Sequence, residues 1–326
     1  MTLLSRRLFL KLSASAAIAG NVQANDGRHK TGLVIDDRFL AHKISDTHPE
    51  SPARYRAVKS HLLAENFHKK LTLIKPKADA DSWLSKVHSI DHINEIKSNQ
   101  PATYKNALLA TAGVLAAIDS VCTGEVNNAF CASRPPGHHA KNTGQEAGFC
   151  YFNHVAIGAR YAQEHYQLNK ILIIDWDYHH GNGTEWAFYS DPTVLYFSTH
   201  DMFAYPGTGL PGNTGEGEGE GFNINVHLGC GAKDEDIITA FKEKLLPAAD
   251  AFEPDLILIS AGFDSRKDDL LGCHNISDQG FSTLTKIVRM IADRHADGKI
   301  VSVLEGGYNI EGNANAVVAH IKALVS

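Results

Sequence analysis

From about residue 128 onward, short and almost continuously apolar runs alternate with longer helical patterns, and few architectures accept that order. The runs are Asn128 to Ser133, Ile171 to Trp176, Thr193 to Ser198, Asn223 to Leu228, Asp255 to Ser260 and Ile300 to Leu304. Runs this short and this apolar are strands buried on both faces, as in a parallel sheet covered by helices on each side. The expected class is therefore α/β, with a central, mostly parallel sheet and helices on both faces. Ser51-Pro52 predicts a helix start, a capping residue followed by proline at the first helical position, and Ala102 to Val121 predicts another helix.

No internal repeat or low-complexity linker divides residues 25 to 326, which are expected to form a single domain. Residues 1 to 24 are set apart as a signal peptide of the twin-arginine type: Ser5-Arg-Arg-Leu-Phe-Leu-Lys11 precedes a short apolar stretch and the small-residue sites Ala17-Ile-Ala19 and Val22-Gln-Ala24. That predicts export to the periplasm, or a cytoplasmic protein if the leader is not functional. The apolar stretch is too short to span a bilayer, so stable membrane insertion is not expected. The net charge of −6, from 37 acidic and 31 basic residues, and the lack of a long basic run argue against nucleic acid. Five scattered cysteines, none in a Cys-x-x-Cys pair, argue against a disulfide framework or a cysteine zinc site. Most are expected to be small buried hydrophobes.

Four strand ends carry polar, glycine-marked segments: Arg134-Pro-Pro-Gly-His-His139, Asp175-Trp-Asp-Tyr-His-His-Gly-Asn-Gly-Thr184, Ala261-Gly-Phe-Asp264 and Glu305-Gly-Gly-Tyr308. Ligands of open α/β sheets bind outside the carboxyl ends of the strands, so these segments should converge. The glycine-rich stretch 212–221 lacks the lysine and placement of a phosphate loop, and its glutamates would repel phosphate. It is expected to be a surface loop leading into a strand.

Asp177 and His179, two residues apart at a strand end, point to one side, with Asp175 one step earlier. Asp264 from another strand end completes three protein ligands with a position left for water, the pattern of a catalytic zinc site that would also tolerate Fe2+ or Co2+. Amide hydrolysis needs a Lewis acid, a base and an acid, and the tandem His138-His139 supplies the last two. Asp175 is placed to fix one histidine and Asn182 the other. Tyr308 can donate a hydrogen bond to a carbonyl oxygen as it gains charge.

These motifs, with Gly148-Phe-Cys-Tyr-Phe-Asn153 and His48-Pro-Glu-Ser-Pro-Ala-Arg54, resemble the zinc-dependent histone deacetylase family, which includes acetylpolyamine amidohydrolases. The resemblance runs from about Gly32 to the C-terminus, and Asn182 stands where the class I branch has aspartate, as in the class II branch and its bacterial relatives. It implies the arginase/deacetylase fold and hydrolysis of an N-acetylated amine, with Asp177, His179 and Asp264 as zinc ligands. It also implies a substrate channel walled by Gly148 and Phe149 with Tyr205 opposite, Leu271 at the mouth and Gly306 nearby, and a structural K+ held by Asp175, Ser198 and Thr199. The expected substrate is an acyl-lysine peptide or a small acylated amine. Leu271, lacking a carboxylate, disfavours acetylpolyamines, which stay the alternative; a non-catalytic acyl-amine binding protein is the further one.

Overall fold

The structure, a computed structural model, describes residues 30–64, 67–77 and 79–326. The twin-arginine segment lies outside the described residues. Eight strands form one sheet: β1 Thr31–Val34, β2 Leu71–Ile74, β3 Asn128–Cys131, β4 Ile171–Asp175, β5 Val194–His200, β6 Asn223–His227, β7 Leu256–Ala261 and β8 Ile300–Leu304. Their order across the sheet is β2-β1-β3-β8-β7-β4-β5-β6, and every pairing is parallel.

The alternation within each strand explains why the runs look apolar throughout. In β4, Ile171 and Ile173 enter one core while Leu172 and Ile174 enter the other. In β7, Leu256 and Leu258 face the first core, and Ile257 and Ile259 the second. Each face is covered by helices, so no strand side chain in the centre of the sheet meets water. Helix Pro101–Cys122 buries Val114, Leu115 and Ile118 on one side of the sheet. It is long and apolar enough to cross a membrane, and it packs instead as the central helix of that layer. Helices Asp278–His295 and Ile310–Val325 cover the opposite face, their starts capped by Ser277 and Asn309.

The six expected strands are present with ends moved by two residues or fewer, and the helix beginning at Pro52 runs to Ala64. Sequence reasoning missed β1 and β2. Each has four residues, and β2 is an edge strand whose Leu73 is 64% exposed, so neither shows the continuous apolar run of a central strand. The cysteine expectation holds for Cys131 and Cys150, which are buried. It fails for Cys230 and Cys273, which form a disulfide. They lie 43 residues apart, in segments following β6 and β7 that meet only in the folded chain.

Candidate active site and metal centre

The four polar segments follow β3, β8, β7 and β4, which are consecutive neighbours in the sheet. Because all the strands are parallel, their carboxyl ends share one edge, and segments separated by more than 160 residues meet there.

Asp177, His179 and Asp264 bring one ligand atom each to within 4.8 Å of one another. His179 Nδ1 lies 3.1 Å from Asp177 Oδ1 and 3.0 Å from Asp264 Oδ2. Backbone N–H groups pin the other carboxylate oxygens: Gly306 donates to Asp177 Oδ2 at 2.9 Å and Tyr178 to Asp264 Oδ1 at 2.7 Å. A Cβ on Gly306 would stand 2.1 Å from Asp264 Oδ2, so only glycine lets this backbone approach. Gly306 therefore lies against the carboxylates, two residues before Tyr308.

Two buried carboxylates this close call for a positive charge between them. Burial and the Asp177 charge push Asp264 up to about 7. His179 is driven the other way: against burial, Asp264 and Asp177 hold it up to about 10, so a proton on the imidazole supplies the missing charge. Two carboxylates and an imidazole with open space beyond His179 suit a divalent ion of the zinc type.

The tandem histidines stand beside this triad, their ring centroids 4.0 Å apart. His138 Nδ1 is 3.0 Å from Asp175 Oδ2, which also accepts the Tyr196 hydroxyl at 3.0 Å. Burial opposes charge on His138, yet Asp177 and Asp175 raise it to about 10. His139 Nδ1 lies 2.9 Å from Asn182 Oδ1, and burial together with the charge of His138 lowers its pKa well below the usual imidazole range. Two adjacent histidines thus differ because one has a carboxylate partner and the other an amide.

A cavity of about 640 Å³ opens above His139 and His179, lined also by Glu146, Gly148, Phe149, Tyr205, Leu271 and Tyr308. Gly148 and Phe149 take positive φ values of 54° and 68° in a tight turn closed by the Ala147 and Cys150 backbones. A Cβ on Gly148 would come 2.3 Å from the His139 ring, so the turn presses directly on that histidine. Tyr308 is buried, and the Phe149 ring is 5.8 Å from its own. Its hydroxyl makes no hydrogen bond among the described residues, and burial raises its pKa well above 10. The glycine-rich loop 212–221 packs on Tyr189 and Ser190 and contributes nothing to the cavity.

Several supporting residues escaped the sequence reading. Glu305 accepts the Gly137 N–H at 2.6 Å and lies with His138 and Cys150 in a second buried cluster. Burial raises Glu305 to about 7. Arg54 donates to the carbonyls of Gly307, at 2.6 Å, and Glu305, at 2.5 Å, behind the Tyr308 ring. The only available signal was the pair of motifs His48–Arg54 and Arg134–His139, whose charges had no assigned partners. For the expected K+ residues, the register sets Asp175 opposite Ser198, whereas Thr199 turns its side chain to the other face of the sheet. Its hydroxyl is buried without a hydrogen bond among the described residues.

With this geometry in hand, comparison with known proteins is unambiguous. The model of the histone deacetylase domain matches residues 48–324. A probable deacetylase of Archaeoglobus fulgidus is 37% identical over 298 residues, covering 86% of this chain and 82% of its own length. Histone deacetylase 15 of Arabidopsis thaliana is 37% identical over 318 residues, covering 90% of this chain and 56% of its own length, so this chain spans little more than half of that relative. The crystal structure of the HDA15 HD domain superimposes with a TM-score of 0.85 at 34% identity, covering 91% of this chain and 90% of that one. The sheet is accordingly that of the arginase/deacetylase fold. The chain belongs to the histone deacetylase family.

Proposed function

We propose that this chain hydrolyses N-acyl amides, acetyl-lysine-type substrates foremost, with a divalent metal held by Asp177, His179 and Asp264. The observation that carries this reading is the convergence of those three donors, with His179 reaching the lining of a cavity that also receives His139 and Tyr308. When bound, a zinc-type ion would polarise the acyl carbonyl and lower the pKa of water.

The remaining steps belong to side chains. His139, with Nδ1–H directed at Asn182, presents its Nε2 lone pair and takes the proton of the attacking water. His138, fixed by Asp175, stays cationic and stabilises the negative charge that develops on the reacting carbon's oxygens. Tyr308 donates its free hydroxyl to the former carbonyl oxygen as the carbon becomes tetrahedral. His139 then returns its proton to the leaving amine. Phe149 and Tyr205 offer aromatic walls to a slender acylated alkyl stem. A structural K+ ion would be held by Asp175 and Ser198, which are register partners, together with Thr199.

The test is acetate release from an acetyl-lysine peptide by zinc-loaded protein, with inhibition by a hydroxamate. No release with metal bound overturns the proposal.

We further propose export through the leader, with the cytoplasm as the alternative. The twin-arginine string supports it, as does the Cys230–Cys273 disulfide, since such bonds persist in oxidising compartments. Replacing Arg6 and Arg7 with lysine should retain the protein in the cytoplasm, read by cell fractionation; unchanged export sinks the idea.

A further inference from the structure

The outer part of the substrate cavity contains a carboxylate that the motifs do not reveal. Glu146 lines the cavity with Phe149, Tyr205 and Leu271, and the lining includes neither lysine nor arginine. Glu146 Oε1 accepts the N–H of Phe149, and Oε2 makes no hydrogen bond or ion pair among the described residues. The side chain is exposed and accessible at the entrance.

Its placement is built into the backbone. Phe149 holds a positive φ of 68°, an uncommon conformation for a bulky residue, and the hydrogen bond from its N–H ties Glu146 to that turn. Glu146 is therefore kept beside one aromatic wall of the channel and does not range over the surface. Leu271, also in the lining, is apolar and offers no competing charge.

We propose that Glu146 determines substrate choice, selecting acylated amines that carry a second positive charge beyond the amide being cut. This rests on the deacylase reading and deepens it. A substrate whose alkyl stem fills the aromatic channel leaves its far end at the entrance, where the Glu146 carboxylate attracts an ammonium or guanidinium group and no lysine or arginine of the lining opposes it. The absence of a carboxylate at Leu271 consequently does not disfavour acetylated polyamines, because Glu146 supplies one elsewhere in the lining.

The competing account makes Glu146 only the cap of the Phe149 turn, and E146Q separates the two, since glutamine keeps the acceptor oxygen and loses the charge. The probes are a mono-acetylated diamine and a neutral acetylated alkylamide of the same length, measured at low and high salt. The expected wild-type preference for the cationic probe in kcat/KM is about 1.4-fold to fivefold, the range for an exposed ion pair. It should reside in KM and shrink with salt. In E146Q the ratio should approach one, and in E146K it should fall below one. A ratio identical in wild type and E146Q overturns the proposal, as does an E146Q defect equal for both probes. Calorimetric binding of the same two amides decides the question independently of turnover: a charge-dependent preference in binding without hydrolysis would refute the deacylase reading and keep this one.

Discussion

Glu50 receives Arg134 through two hydrogen bonds, each of 2.6 Å, with both side chains withdrawn completely from solvent. The pair joins the segment after residue 48 to the loop that carries His138 and His139. Glu50 also meets Arg54 at 3.3 Å, and Arg54 holds the carbonyls just before Tyr308. One buried carboxylate thus links the histidine loop to the tyrosine loop, two segments whose relative position sets the chemistry.

Glu50→Ala leaves two guanidinium groups buried without their shared anion. Breaking a buried pair in this way costs about 3–5 kcal/mol. The expected result is a loss of that size in urea unfolding, accompanied by a lower kcat. A variant as stable as the wild type would show that water or rearrangement replaces the carboxylate.

Tyr308→Phe removes one hydroxyl and leaves the ring packed on Phe149. If the hydroxyl acts only as charge develops on the carbonyl oxygen, kcat should fall about 100-fold to 1,000-fold while KM and metal content hold. Steady-state kinetics with metal analysis reads this. A KM effect with unchanged kcat would move Tyr308 from the reaction to ground-state binding.

Asn182→Asp places a carboxylate at the His139 Nδ1, 2.9 Å away in the present structure. The added charge stabilises the imidazolium, so the pKa of His139 rises. As a base, His139 must be neutral, and the acidic limb of the kcat/KM profile should therefore move to higher pH. A pH–rate profile with an unmoved limb removes His139 as the base.

How much of this was legible in the chain depended on what each residue touches. Asp175, Asp177, His179 and Asp264 follow apolar strands whose period and composition announce them, and a strand end is where an α/β sheet concentrates polar function. Sequence reasoning assigned Asp175 to one of the tandem histidines and Asn182 to the other without choosing between them, and the hydrogen bonds pair Asp175 with His138 and Asn182 with His139. Glu146 was invisible: its role comes from a turn at positive φ, and nothing in Gln145-Glu146-Ala147 signals that backbone. Strands β1 and β2 failed for the opposite reason: four residues each, β1 carrying a threonine and a glycine and β2 lying at the sheet edge, hold too little pattern to distinguish a strand from a loop. The Cys230–Cys273 pair depends wholly on the meeting of two distant loops.

Buried neutral histidines predict acid sensitivity away from the site. Burial lowers His42 and His154 to about 4, and His88, His200 and His320 to about 3. Each folded value lies below the unfolded value of about 6.5, so the unfolded chain binds these protons first as pH falls. Every such proton removes about 1.4 kcal/mol of stability per pH unit below 6.5, until the folded pKa is reached. Glu305, raised by burial to about 7, acts in the opposite sense, because the folded state takes up its proton first. The five histidines outweigh this acid between pH 6.5 and 4. Urea unfolding should show stability falling steeply across that window, and His320→Gln, whose ring is held by Thr285 and Ser302, should flatten the slope by about one proton. A stability constant from pH 6.5 to 5 would mean that these rings are protonated in the folded protein.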